Sequence, residues 1–217
     1  MLTRRHFIMT TTALFSAPIL ANAAPGPSQW AKWDARVTPP DFDPATSNPW
    51  GFHARFLPTR VEANSGLRPG DIHVDAIARY LYHIEDGGTA MRYGVAIGRN
   101  DLYEPGTYTI QRKAKWPRWT PTPAMIKREP ESYAQYADGM DPGPRNALGS
   151  RALYLYRGNR DTYLRIHGTP LPRSIGTRAS SGCVRMVMAH INQLYPNVAI
   201  GSAAYLYPPE LPLGAQS

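Results

Sequence analysis

The chain has 217 residues with 24 Lys and Arg, 16 Asp and Glu and a single Cys, which bounds it to one domain of ordinary size with its tails. One Cys excludes an internal disulfide framework and a Cys-rich zinc site, and 42% hydrophobic residues with five Trp and thirteen Tyr exclude wholesale disorder. Twenty-two Pro and eighteen Gly interrupt helices too often for a helical bundle, so a mainly β fold is expected, and the scattered basic residues, with no run of five like charges, argue against a nucleic-acid footprint.

Residues 1–23 have the grammar of an export signal: Arg4 and Arg5, an apolar stretch from Ile8 to Leu20, then Ala21-Asn22-Ala23. Thr3-Arg4-Arg5-His6-Phe7-Ile8 resembles the twin-arginine signal of bacteria, which makes the periplasm the expected location. The stretch falls short of the about 20 apolar residues of a bilayer span, so no stable membrane anchor is expected after processing. Removing this segment takes two Arg and no acid, leaving a basic chain. In an oxidising compartment an unpaired Cys is a liability unless it is buried or has a task, which directs attention to Cys183.

Residues 24–65 lack sustained periodicity and read as an irregular arm whose Trp30, Trp33, Trp50 and Phe52 pack on the body of the protein. The body spans 66–208. Alternation predicts strands at Ile72–Asp75 and Arg79–Ile84, a Gly87-Gly88 hairpin turn into Arg92–Gly98, and a strand at Gly106–Ile110. From Gln111 to Leu148 repeated Pro breaks every pattern, and a stretch of that length rich in Trp and Tyr reads as a lid over a site, with Trp116 and Trp119 expected to press on the domain or on substrate. Strand patterns resume at Ala152–Tyr156 and Tyr163–His167. Val184, Val187, Met188, Ile191, Leu194 and Tyr195 then fall at helical spacing, with Ser180 or Ser181 as cap. Ala203–Tyr207 is the last strand, and 209–217 is an irregular tail.

The helix placed there sets Cys183 at its N-terminus, where unpaired N–H groups and the helix dipole favour a thiolate. The N–H groups of Gly182 and Cys183 are candidates for stabilising the oxygen of a tetrahedral intermediate. His167 ends a strand and is the candidate base. No metal-ligand spacing emerges among the six His.

Ile166-His167-Gly168-Thr169 followed by Ser180-Ser181-Gly182-Cys183-Val184-Arg185 resembles the catalytic signature of the YkuD-type L,D-transpeptidases of bacterial peptidoglycan. Gly106–Ile110, the segment Trp116 to Met125 and Gly143-Pro144-Arg145-Asn146-Ala147-Leu148-Gly149 extend the resemblance over roughly 66–208. Ser181 stands where many members have His, and Ala147 where Pro is commoner. The resemblance implies a β-sandwich-like domain with one helix following the Cys and a long lid loop. It implies that Cys183 attacks the carbonyl of the third residue of a stem tetrapeptide, that D-Ala leaves, and that an amine of peptidoglycan or of an envelope protein resolves the thioester. His167 takes the role of base, oriented by the Gly168 carbonyl, with Ser181 in contact with substrate and no cofactor. Arg185 is read two ways, as a ligand for a substrate carboxylate or as a structural ion-pair partner.

The same Cys and His serve an L,D-carboxypeptidase, in which water replaces the amine. A non-catalytic wall-binding module would have no need of them. A papain-like protease is disfavoured because His167 precedes Cys183.

Overall fold

A computed structural model describes residues 25–209; the expected export signal, and the tail beyond its first residue, lie outside the described residues. The fold is mainly β, as expected. Its strands are β1 (Thr59–Glu62), β2 (Ile72–Asp75), β3 (Tyr80–Ile84), β4 (Thr89–Gly94), β5 (Ile97–Gly98), β6 (Gly106–Lys115), β7 (Arg151–Arg157), β8 (Arg160–Thr169), β9 (Arg178–Ser180), β10 (Val184–Val187) and β11 (Ala203–Leu206). The helices are α1 (Pro27–Val37), α2 (Pro123–Arg128), α3 (Pro130–Tyr133) and α4 (Met188–Leu194). Among the described residues no helix is long and apolar enough to cross a membrane.

Nine strands form one mixed sheet in the order β1-β4-β3-β2-β11-β6-β7-β8-β10, and β5 pairs with β9. Gly87 and Gly88, both at positive φ, make the expected β3–β4 turn, because such a turn needs left-handed residues. Just past β4, Ala96 exchanges both backbone hydrogen bonds with Arg185 of β10, at 2.8 and 3.0 Å, so the chain beyond the second strand of the order is stitched to the last. The sheet therefore curls over itself in the manner of a sandwich. Leu81 and Val74 from one half meet Leu153, Ile166, Val184 and Met186 from the other in a single core, together with Ile191 and Leu194 of α4.

The arm is not irregular. Pro27 opens α1, where the missing N–H costs nothing, and β1 adds a strand to the sheet edge beside β4. Its packing is as expected: the Trp33 ring meets Trp116 edge-on with centroids 5.1 Å apart, and Asp34 accepts from Trp116 Nε1 (3.1 Å) and pairs with Arg151 (2.7 Å). Phe42, Trp50 and Phe52 surround His190 of α4, which is fully buried.

The segment 111–148 also has more structure than its prolines suggest. Residues 111–115 complete β6, Thr122 caps α2 by accepting from the Met125 N–H (3.2 Å), and Pro123 and Pro130 occupy helix starts instead of breaking helices. Trp116 and Trp119 do not share a face. Trp116 is 1% exposed at φ +44 and belongs to the interior with the arm, whereas Trp119 packs with Tyr133 and Tyr136, each at 6.1 Å between centroids.

Candidate active site

Strands β8 and β10 run parallel with Ile166 beside Val184 and His167 beside Arg185. One step back along the same register, Cys183 falls opposite Arg165. Strand alternation separates the side chains: Leu164, Ile166, Val184 and Met186 enter the core, while Arg165, His167, Cys183 and Arg185 share the other face. The sequence expectation of a helix starting at Cys183 is therefore corrected. Cys183 lies in the turn between β9 and β10, and α4 begins only at Met188. The thiol does not sit at a helix terminus; the charges that favour its ionisation are the guanidinium groups of Arg165 and Arg185.

His167 is 4% exposed, and its Nδ1 lies 2.6 Å from the Gly168 carbonyl oxygen. A carbonyl only accepts, so Nδ1 carries the proton and donates, which leaves the Nε2 lone pair free to take one. Burial, followed by the charge of Arg185, pushes the imidazole down to about 3, against the Gly168 carbonyl and with a smaller push from Arg165. At neutral pH it is an uncharged base. Gly149 fixes the carbonyl that orients it: Gly149 sits at φ +60, and a Cβ there would lie 2.7 Å from the Gly168 carbonyl carbon. Only glycine admits that approach.

Cys183 is half-buried, with Sγ 3.8 Å from the Tyr163 carbonyl oxygen. Burial pushes its thiol up; the Arg165 backbone N–H and the charges of Arg165 and Arg185 pull it down, and Glu104 adds a small upward push. The upward effect wins, so the resting pair is a thiol beside a neutral imidazole. The loop is held from within, because Ser180 Oγ donates to the Cys183 carbonyl (2.5 Å) and accepts from the Gly182 N–H (3.3 Å). That bond engages one of the two expected oxyanion donors and leaves the Cys183 N–H as the candidate. Gly182 is at φ +124, and a Cβ there would come within 3.0 Å of the Leu102 carbonyl oxygen.

Ser181 Oγ lies 2.8 Å from the hydroxyl of Tyr133 in α3, which brings the segment between β6 and β7 onto the loop that carries Cys183. An ion pair from Arg99 to Glu129 holds the same segment to the end of β5, with Arg128 also on Glu129 at 3.1 Å. Arg185 is half-buried and has no carboxylate partner among the described residues, so of its two readings the structure shows no ion pair. Burial lowers its affinity for a proton, with Cys183 and Tyr133 opposing.

Three neighbours were not singled out in the sequence, Arg165, Tyr133 and Tyr163, and Ser180 was read there as a helix cap, whereas it braces the Cys183 loop. Arg165 is 8% exposed, gripped by both oxygens of Asp161 (2.6 and 2.9 Å), and lies 4.1 Å over the Tyr154 ring. Counting back two residues along the strand from His167 would have placed it on the site's face. Nothing local marks Tyr133, whose partner is 48 positions away. Among the described residues no group of three or more His, Cys, Asp or Glu is arranged to hold a metal ion.

A family model, the YkuD L,D-transpeptidase catalytic domain, matches residues 69–206. The chain is similar to the probable L,D-transpeptidase ErfK/SrfK of Escherichia coli K12, with 31% identity over 67% of this chain and 46% of that protein. A putative L,D-transpeptidase of Fuscovulum blasticum is 37% identical over 59% of this chain and 64% of its own length. The chain thus spans about half to two thirds of the length of these curated relatives. Among solved structures, the Ldtfm–avibactam carbamoyl enzyme has the same fold at 15% identity and a TM-score of 0.50, over 66% of this chain and 51% of that one. A Brucella melitensis protein described as a probable carnitine operon oxidoreductase CaiA is 48% identical over 68% of this chain and 91% of its own, with a TM-score of 0.49.

Proposed function

Since the chain belongs to the YkuD family of L,D-transpeptidase catalytic domains, we propose that it is an exported cysteine acyltransferase acting on peptidoglycan stem peptides. The observation that carries this reading is the 2.6 Å contact of His167 Nδ1 with the Gly168 carbonyl. It fixes the tautomer whose free nitrogen is a base, on the sheet face that also bears Cys183.

In the first half-reaction Nε2 of His167 takes the Cys183 proton as Sγ attacks the carbonyl carbon of the third stem residue. The negative charge on the carbonyl oxygen is met by the Cys183 N–H. The intermediate collapses by breaking the bond to D-Ala, whose nitrogen takes the proton from His167, and a thioester remains. An amine acceptor then attacks the thioester carbon, His167 takes the amine proton, and the departing sulfur recovers it as the thiol. Because both partners start neutral, proton transfer accompanies attack. Arg165 and Arg185 stabilise the negative charge that develops on sulfur. Arg185, half-buried and without a carboxylate partner among the described residues, is the ligand for the carboxylate of the donor peptide.

Incubating the mature protein with purified disaccharide-tetrapeptides and analysing products by mass tests the assignment. Crosslinked dimers with release of D-Ala support transpeptidation. Trimmed tripeptides without dimers identify water as the acceptor and make the protein an L,D-carboxypeptidase. No product from an intact, folded protein refutes both.

A further inference from the structure

Tyr163 combines three features that folding alone does not require of it. Its φ is +62, a left-handed conformation that a bulky side chain adopts only under constraint. Its side chain is 68% exposed, so burial does not hold it there. Its carbonyl oxygen is 3.8 Å from Cys183 Sγ, which places it beside the nucleophile.

The conformation comes from a bulge in β8. Tyr154 pairs with Arg165 and Tyr156 with Asp161, so residues 162–164 face the single residue Leu155 of β7. Three hydrogen bonds enforce it: Asp161 Oδ1 accepts from the Tyr163 N–H (2.9 Å), Thr162 Oγ1 donates to the Leu155 carbonyl (2.6 Å), and the same Oγ1 accepts from the Leu164 N–H (3.2 Å). Asp161 also anchors Arg165, whose guanidinium lies 5.9 Å from the centre of the Tyr163 ring. The bulge thus turns the Tyr163 carbonyl to the sulfur and the ring outward to solvent. Glycine would adopt this backbone without strain, yet the position carries a large amphipathic ring.

We propose that Tyr163 is a specificity-determining residue whose ring packs along the side chain of the donor residue that Cys183 acylates. The proposal rests on the acyltransferase function above. The Tyr163 carbonyl, 3.8 Å from the sulfur, sets this residue at the edge of the place where the reacting carbon must sit, and the substrate side chain nearest that carbon belongs to the residue being transferred. A phenol presents an apolar face with a polar edge, which matches a side chain of several methylenes ending in a polar group, such as that of a diamino acid.

The test compares Tyr163→Gly, Tyr163→Ala and Tyr163→Phe by thermal melting and by kcat/KM on two donors, one with a diamino acid and one with Ala at the third stem position. Ala keeps the backbone strain and Gly removes it, so Tyr163→Gly is expected to melt no lower than wild type and above Tyr163→Ala. Both are expected to lose about tenfold in kcat/KM on the diamino donor and to change less than about twofold on the Ala donor, while Tyr163→Phe keeps the wild-type preference. A loose contact of purely structural importance would lower melting and both activities together. Wild-type kcat/KM on the diamino donor in the Gly and Ala variants overturns the proposal, as does an equal loss on both donors. If the wild-type protein itself turns over neither donor, the acyltransferase reading is what fails, and this assignment falls with it.

Discussion

The hydroxyl of Tyr133 lies 2.8 Å from Ser181 Oγ, so the segment between β6 and β7 is bonded directly to the loop that carries Cys183. The resemblance to the family marks Ser181 as a departure, since many members have His there. Here the smaller side chain is completed by a partner from α3, with Trp119 packed against Tyr133. Removing either hydroxyl, in Tyr133→Phe or Ser181→Ala, is expected to lower kcat/KM on muropeptides by about fivefold, the worth of one hydrogen bond of about 1 kcal/mol. The double variant is expected to match the single ones, because both remove the same bond. Reaction of Cys183 with a small thiol reagent should be unchanged. Additive losses in the double variant would show that the two hydroxyls act separately.

Arg185 offers a second test. With no carboxylate partner among the described residues, its replacement by Gln strands no buried anion, so Arg185→Gln is expected to fold with wild-type stability. If the guanidinium holds a substrate carboxylate, kcat/KM falls by about ten- to a hundredfold with KM raised as well as kcat lowered, as expected for a charge-assisted hydrogen bond of about 1.5–3 kcal/mol. A large drop in melting temperature with unchanged KM would assign Arg185 to structure instead.

Acid stability follows from two buried imidazoles. His167 and His190 are both pushed down to about 3, chiefly by burial, from an ordinary 6.5. Between those values the unfolded chain binds protons that the native chain does not, so stability falls as pH drops below 6.5 and the loss is complete near 3. Both nitrogens of His190 lack hydrogen-bond partners among the described residues, so His190→Leu removes one titrating group without breaking a bond seen there. The variant is expected to lose about 2 kcal/mol less than wild type between pH 7 and pH 4.5 in urea unfolding. An identical loss in the two proteins would show that His190 is protonated in the native state.

Asp34 ties the arm to the body through Trp116 and Arg151, and the Arg151 side chain is 8% exposed. Removing the carboxylate in Asp34→Ala leaves that guanidinium without its carboxylate and is expected to destabilise the protein by about 3 kcal/mol in denaturant unfolding. A change below about 0.5 kcal/mol would mean that the arm is held by its aromatic contacts alone.

Much of the site was readable because its residues are close in sequence or on adjacent strands. His167 and Gly168 are neighbours, and Cys183 lies in a Ser-Gly turn that any fold must bend. The helix was misplaced because Val184, Val187, Met188 and Ile191 satisfy a helical period while Val184–Val187 also fits a strand between β8 and Ala96. Pairing across the sheet decided it, and pairing is not a local property. The prolines misled for a related reason: Pro123 and Pro130 were read as breaks but stand at helix starts, as Pro27 does, where the residue is favoured. The Tyr133–Ser181 bond joins positions 48 apart and leaves no trace in either local sequence.

Acylation of Cys183 with His167 as its base is tested by trapping the intermediate. Wild type, Cys183→Ala and His167→Ala are mixed with a disaccharide-tetrapeptide donor whose free side-chain amine has been acetylated so that it cannot act as acceptor, quenched in acid and analysed by intact mass and peptide mapping. An adduct on Cys183 of the donor mass less D-Ala is expected in wild type, none in Cys183→Ala, and formation slowed about 10²–10⁴-fold in His167→Ala. Release of D-Ala by Cys183→Ala at the wild-type rate, or an adduct on another residue, would contradict it.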